Sequence, residues 1–566
     1  MQYDVVIMGS GAAGLTAALV AAKAGNTVAV LEKANHFGGT TAISGGGIWI
    51  PVSPQAKAEG VDDSIETARN YVLGVVGNRA ERALIDAYLN NGPEMIEWLA
   101  ANSETVFQIS PPSSDWYPEV SGAVDFGRLL APSEYDGKKL GKNFDRLQKP
   151  RQEFNAPGGM MIDLFDLPYI AKLPSPGALW YMAKIAIRFA LDKRKLGRGS
   201  RLTMGNALAG RLLQSAIDAG VDLYEATPVE GLVTADGKVT GVRATVKGIS
   251  SEIAANKGVI LASGGFSANA EMRKAYIPFA QQHVSILPYE NTGDGILSAQ
   301  SAGAVMGAEN HVNAVWAVVS KRTRADGYIE RYAHLIDMSK PGCIAVNTAG
   351  QRFGNEASVH FVEAMHATGT VPAHIIANAK FVKKYGMGLV LPGGGKIKEM
   401  VACGYMKTGA TLAELAALPN VRIMRRTTVT GAYDDGVFAA LERVALHKPA
   451  RPDVPRECFW RITARRTILA SGALERPIAF PMNDRPGIMM ASAVETYLRR
   501  YGVVPGQRVT LFANNDGARA SARAPLGGGS RPSGASRRGW LMGLGLAPPL
   551  RRHTPETFAH NKRTGK

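Results

Sequence analysis

The opening of the chain restricts its fold more than any other stretch. Residues 4–8 (DVVIM) form a short apolar run, GSGAAG follows at 9–14, and an Ala-rich stretch with helical character occupies 15–24. Strand, glycine turn and helix start follow one another without a gap. In this arrangement Gly9 permits the turn, Gly11 lets a pyrophosphate approach the backbone, and Gly14 lets the helix pack closely on the strand. Ala12 and Ala13 lie in the same turn, where helix-terminal N–H groups face phosphate oxygens. A second strand, 27–31, ends at Glu32 and Lys33. A carboxylate at that spacing accepts hydrogen bonds from a ribose diol and disfavours a 2′-phosphate. The fold class expected is α/β, with a Rossmann-like dinucleotide-binding domain.

Residues 38–51 (GGTTAISGGGIWIP) carry too many small residues for a packed strand, and their backbone N–H groups suit an extended ligand. Gly38, Gly39, Thr40, Thr41, Ser44, Gly45, Gly46 and Gly47 are therefore candidate cofactor contacts, a flexible surface loop being the alternative. This segment resembles the one lining FAD in 3-ketosteroid-Δ1-dehydrogenases and, more loosely, in fumarate reductase flavoproteins. The resemblance extends through most of residues 1–418 and implies FAD as the cofactor, with Glu32 on its adenosine ribose.

Later segments add to the resemblance. Residues 205–219 have a helical pattern, 221–224 a strand pattern, and Asp236-Gly237 a hairpin turn. Pro228 and Val229 stand where related flavoproteins use backbone groups on the adenine. The strand 258–262 runs into Ser263-Gly264-Gly265, so that Ala262, Ser263 and Gly264 resemble the family's second close approach to FAD. At 291–295 (NTGDG) the pattern places Asp294 as a helix N-cap. Residues 341–356 read as strand, turn at Ala349-Gly350, strand. The domain division expected is 1–269 for FAD binding, 270–418 for an inserted α+β substrate-binding cap, 419–519 for a foreign fragment and 520–566 for a tail.

Removing two hydrogens from adjacent carbons needs a hydride acceptor and a base, and flavin serves only as the first. Residues 115–118 (DWYP) resemble the D-Y-Y-P segment of ketosteroid dehydrogenases, which implies Tyr117 as the proton-abstracting group. A phenol of ordinary pKa about 10 needs help from a hydroxyl or a positive field near neutrality. Tyr332, and with it Tyr328, are the candidate partners, against the plainer reading of buried aromatics. Fumarate reductases carry N-E-x-x-x-R; here Asn355 plus five is His360, which favours an apolar, steroid-like ketone over a dicarboxylate and reads as a cap surface residue. The electron acceptor is unknown.

Composition adds limits. No uncharged apolar run of about 18 residues appears, and the first strand begins at once, so a cytoplasmic enzyme is expected. Cys343, Cys403 and Cys458 lack metal-ligand spacing, and no metal is expected. The net charge of +17 owes much to residues 519–566, where ten Lys/Arg face Glu556 alone. That Gly-, Pro- and Ser-rich tail reads as disordered and incidental, with no nucleic-acid partner. The apolar stretch 178–191 followed by KRKLGRGSR at 193–201 is a candidate for peripheral membrane contact, a solvated helix end being the preferred reading.

The resemblance changes near Pro419. Ketosteroid dehydrogenases end with Y-x-G-x-G, which holds the substrate carbonyl; here Tyr433, Tyr497 and Tyr501 are not followed by that pattern. Residues 419–519 resemble instead a piece of the sarcosine oxidase α subunit, with strands at 421–431 and 461–470 and another at 508–512. Activity is expected to suffer, since loss of one such hydrogen bond costs on the order of 10²–10³ in rate. The alternatives are a fumarate reductase-like flavoprotein, an amine-oxidising subunit and an inactive FAD-binding remnant of a gene fusion.

Overall fold

The computed structural model describes residues 1–407 except 78, 112–113, 152–154, 157, 173–174, 281, 308–312, 315–316, 335–336 and 359, and then 422–424, 426–446, 449, 451–465, 508–513, 531–537 and 540–542. The chain divides into two compact units, Met1–Gly409 and Ala410–Lys566.

The first unit is built on a six-stranded sheet. Its strands are β1 (Gln2–Met8), β2 (Val28–Leu31), β3 (Asp222–Tyr224), β4 (Val229–Ala235), β5 (Lys238–Val246) and β6 (Ile249–Leu261), in the order β3-β2-β1-β6-β5-β4. Neighbours from β3 to β6 run parallel, while β6, β5 and β4 form an antiparallel meander. The β4–β5 hairpin turns at Asp236-Gly237, both at positive φ, as the sequence requires.

Continuous apolar runs in β1 and β2 follow from burial on both faces. Ile7, Val28 and Val30 pack under helices α1 (Ala12–Lys23) and α3 (Met204–Asp218). Val6, Met8, Ala29 and Leu31 face Val229, Val242, Ala244 and Ile253 of the meander. α3 is buried along most of its length, which its small residues permit: a Cβ on Gly205 would lie 1.9 Å from the Thr41 carbonyl oxygen.

Four expectations need correction. Residues 39–43, expected only as part of a small-residue segment facing a ligand or, alternatively, a flexible loop, form a short helix α2 (Gly39–Ile43), whose small side chains let the backbone pack against α3. Asp294 is not a cap: Gly293 holds that position without a side-chain bond, and Asp294 instead accepts from Lys33 and Thr292. In residues 341–356 only Cys343–Val346 is a strand; its partner is His374–Ala377, and the proposed return strand is reduced to one bridge at Arg352. The tail read as disordered carries two strands, Arg531–Arg537 and Trp540–Met542.

Residues beyond the sheet form small cores of their own, around Met338, Ala345 and Phe361 and around Phe381, Val390 and Met400. In the second unit, Thr427–Tyr433, Val437–Glu442 and Cys458–Thr463 make an antiparallel meander. Arg508–Ala513 pairs in parallel with Arg531–Arg537. Of the strand expected at 421–431 only Thr427 onward is extended in a ladder, 422–424 having no strand pairing; residues 421, 425 and 466–470, Tyr497 and Tyr501 lie outside the described residues, as does the expected boundary at 418/419.

Candidate FAD-binding site

A cleft opens at the carboxyl ends of β1, β2 and β6, where ligands of parallel sheets are commonly held. It encloses about 990 Å³ of atom-free space, part of it open to solvent. Gly9, Gly11, Ala12 and Ala13 line it from the first turn, Glu32 and Lys33 from the end of β2, and Ala262, Ser263 and Gly264 from the end of β6. Gly39, Thr40 and Thr41 of α2 and Val229 of β4 complete the expected set.

The glycines act through contact. Gly9 has φ +100°, and a Cβ there would lie 2.5 Å from the Ala262 carbonyl oxygen; one on Gly14 would lie 2.0 Å from the Gly9 oxygen. Gly14 therefore shapes the turn from behind without lining the cleft. Gly11 caps α1 without any side-chain bond, leaving first-turn N–H groups for a ligand, with Ala12 N–H held by Thr41 Oγ1 at 2.9 Å.

The other predicted residues sit elsewhere. Gly38, Ser44, Gly45, Gly46 and Gly47 are absent from the cleft wall. The Gly38 N–H donates to Ser10 Oγ, and the Ser44 carbonyl accepts from the Gly205 N–H at 3.0 Å, so this half of the segment is turned towards α3. Lys33 reaches the cleft, but its ammonium is bound to Asp294 at 2.8 Å and Thr292 at 2.5 Å.

Glu32 is held by three hydrogen bonds. Its Oε2 accepts from the Ser10 N–H and hydroxyl, and its Oε1 from the Ala34 N–H at 2.9 Å. A carboxylate offers about four lone-pair directions, so one remains for a ribose hydroxyl. Sequence reasoning missed Ser10, although its hydroxyl lies inside the glycine turn, and it missed Asn291. Asn291 lines the cleft, is 8% exposed, and its Oδ1 is buried without a hydrogen-bond partner. Such an orphaned acceptor beside a Gly264 held at φ +81° fits a site shaped for a polar, extended ligand.

Tyr117 belongs to a separate cluster. Its N–H donates to Tyr71 Oη at 3.2 Å, and its ring lies 5.1 Å from that of His360. His360 is exposed, as a surface residue is expected to be, and is bonded to Glu119 at 2.9 Å and Glu363 at 3.0 Å, which raise its pKa. Burial, then Glu363 and Glu119, pushes the Tyr117 phenol above its ordinary value. Tyr332 is not brought to Tyr117 by any described contact. Its ring stands edge-on to His334, and burial raises its pKa to about 12. Tyr328 lies under Arg324 on the surface.

His334 has one unforeseen arrangement: Nδ1 faces Asp337 at 2.7 Å and Nε2 faces Ser320 Oγ at 2.8 Å. That connectivity resembles a nucleophile triad, but Tyr405 Oη sits 2.5 Å from Ser320 Oγ, and a Cβ on Gly388 would lie 3.2 Å from it. The space a substrate carbonyl would need is filled, and the network ties the small core together.

A mixed α/β fold with a glycine turn, a strand-end carboxylate and an orphaned polar group in one cleft is the setting of a nucleotide-binding flavoprotein. The FAD binding domain family matches residues 4–382, and the chain belongs to it as an FAD-dependent oxidoreductase. The 3-oxosteroid 1-dehydrogenase of Mycolicibacterium smegmatis is 34% identical over 435 residues, which cover 73% of this chain and 74% of the relative. The crystal structure of 3-ketosteroid delta1-dehydrogenase from Sterolibacterium denitrificans in complex with 1,4-androstadiene-3,17-dione has a TM-score of 0.62 and 32% identity, covering 69% of this chain and 71% of that one. A short segment is 46% identical over 133 residues to the sarcosine oxidase subunit alpha of Rhizobium meliloti, 22% of this chain and 13% of that protein.

Proposed function

We propose that the chain dehydrogenates an apolar cyclic ketone of the 3-ketosteroid class, with Tyr117 as the base and residues 270–418 as the substrate-covering cap. The observation that carries this reading is the attachment of the Tyr117 loop to the cofactor segment: Asp115 accepts from Trp49 Nε1 at 2.7 Å, and Trp49 ends the segment whose Gly39, Thr40 and Thr41 line the cleft. FAD, when bound, supplies the hydride acceptor. Glu32, oriented by Ser10, would hold its adenosine ribose, the turn from Gly9 to Ala13 would take its pyrophosphate, and Asn291 would add a polar contact from the cleft wall.

Tyr117 rests protonated, because burial and two glutamates oppose the phenolate. His360, paired with both glutamates, offsets their charge beside the ring. Base catalysis therefore requires the substrate to displace water and the imidazolium to stay charged. The missing Y-x-G-x-G motif removes one source of carbonyl polarisation, so turnover is slow, by on the order of 10²–10³ relative to an intact clamp. Purified protein incubated with a 3-ketosteroid and an artificial electron acceptor tests the reading. Acceptor reduction that is lost in Tyr117→Phe supports it; flavin-loaded protein without turnover leaves a cofactor-binding remnant.

The cell location that fits is the cytoplasm, with a membrane-facing helix. Pro176–Leu196 exposes Trp180 (73%), Ile187 (60%) and Leu191 (57%) along one stripe and ends in Lys193, Arg194 and Lys195. Such a stripe with a basic end suits an anionic lipid surface, from which an apolar ketone would be taken. Among the described residues no helix is long and apolar enough to cross a membrane.

A further inference from the structure

Tyr117 lies on a loop whose neck is closed by one residue. Asp115 N–H donates to the Val124 carbonyl at 2.9 Å, and the Val124 N–H returns to Asp115 Oδ2 at 3.0 Å. Between these two residues the chain carries Trp116, Tyr117 and Pro118 outward and turns back at Gly122, where a Cβ would lie 2.3 Å from the Thr67 carbonyl oxygen. The neck is therefore pressed on the helix Ile65–Val76 and admits little sliding.

The same carboxylate looks two other ways. Its Oδ1 accepts from Trp49 Nε1, and its Oδ2 from Arg128 Nη1 at 2.8 Å. Arg128 also donates to Asp63, through Nε at 2.8 Å and Nη2 at 2.7 Å. The side chains of Arg128, Asp63 and Asp115 are 2%, 2% and 3% exposed. Two carboxylates thus share one guanidinium, and the excess negative charge is met by the Trp49 and Val124 N–H groups. Arg128 also lies 5.4 Å from the ring of Trp49 and 5.6 Å from that of Tyr71, two rings themselves 5.9 Å apart, and Tyr71 Oη accepts from Tyr117 N–H. Arg128 and Tyr71 each touch both Trp49 of the cofactor-lining segment and the loop that carries Tyr117, and Asp63 joins them through Arg128.

We propose that Asp115 is a positioning residue that fixes Tyr117 relative to the FAD-lining segment, with Trp49 as the link between them and Arg128 as the clamp. An ion-paired core of Arg128, Asp63 and Asp115 at most 3% exposed has few alternative arrangements, so ordering the segment 38–51 by cofactor also orders the loop 115–124. The proposal rests on the reading of Tyr117 as the base, and the test separates the two.

Amide hydrogen exchange on the full chain, with and without added FAD, reads the coupling directly. In the wild-type protein FAD slows exchange in peptides covering 9–14 and 115–124 together. Trp49→Phe keeps a smaller aromatic ring and removes the donor; the slowing at 9–14 persists, and that at 115–124 falls at least tenfold. Asp115→Asn speeds exchange at the Tyr117 and Val124 amides at least tenfold and leaves residues 2–8 at their wild-type rate. Exchange at 115–124 that is unchanged in both variants overturns the proposal, as does loosening of 2–8 to the same extent. In turnover, Asp115→Asn lowers kcat with KM held, whereas a merely destabilised protein recovers full kcat once its folded fraction is corrected for. A Tyr117→Phe protein as active as wild type removes the base assignment, and the exchange data still decide whether Asp115 holds the loop.

Discussion

Ser10 Oγ donates to Glu32 Oε2 across 2.5 Å, so the carboxylate at the end of β2 is oriented before any ribose reaches it. The same hydroxyl accepts from the Gly38 N–H at 3.0 Å, joining the glycine turn, the acid and the start of α2 at one atom. Ser10→Ala removes a hydrogen bond to a charged group and strands the Gly38 N–H, each worth about 1–3 kcal/mol. FAD affinity falls at least tenfold, read by flavin fluorescence titration of apoprotein. Wild-type affinity in the variant would mean that Glu32 is held well enough by backbone alone.

Two glycines of the expected site separate packing from ligand contact. A Cβ on Gly14 would lie 2.0 Å from the Gly9 oxygen, whereas one on Gly45 meets nothing within 4 Å. Gly14→Ala costs about 1–3 kcal/mol and lowers both melting temperature and flavin retention. Gly45→Ala changes stability by no more than about 0.5 kcal/mol. Loss of FAD from Gly45→Ala at unchanged melting temperature would put that residue back among the cofactor contacts.

The bond from His360 to Glu119 and Glu363 gives stability a pH signature. The imidazole pKa is raised in the folded chain, so its contribution is fully present below the unfolded value of about 6.5 and is lost as pH rises through the raised folded value. The Glu119 pKa is lowered, so the pair persists until the carboxylate itself is protonated. Wild type therefore melts above His360→Ala in the mildly acidic range, and the two curves meet at alkaline pH. Equal melting temperatures from pH 5 to 9 would contradict the ion pairing; both partners are well exposed, and the difference is small.

The exposed stripe of Pro176–Leu196 predicts sedimentation with vesicles containing anionic lipid, weakened by salt. Trp180→Ala reduces the bound fraction by severalfold, and reversing the charge of Lys193, Arg194 and Lys195 abolishes it. Binding to neutral vesicles at the same level would leave only the apolar stripe at work.

The first βα unit was legible because each of its elements is local: apolar run, glycines and acid follow in order, and the structure puts all three at one cleft. α2 was hidden because Gly and Thr are poor helix formers in isolation, and tight packing of the segment on α3 outweighs that preference. At Ser44 to Gly47 small size and the family resemblance both point to cofactor, yet small residues serve equally to let backbone meet backbone, as Gly46 does against Gly205. The return strand expected after Ala349 failed because His374–Ala377 pairs with Cys343–Val346 in its place, a choice made by chain far away. For the same reason Asn291 and the Tyr117–His360 contact carried no local signal: their meaning arises only when distant segments meet.

The placement of β1 between β2 and β6 also governs how the protein is made. Ile7 pairs with Val30 on one side and with Ile260 on the other, so one edge of the founding strand stays open until roughly 250 further residues have left the ribosome. At ordinary synthesis speeds that interval lasts roughly 12–50 s. During it the nascent chain exposes an apolar strand edge suited to chaperones or to unwanted pairing. The binding cleft, which needs Ala262 as well as Gly9, cannot assemble on any shorter translation product, and flavin capture is confined to the later part of synthesis.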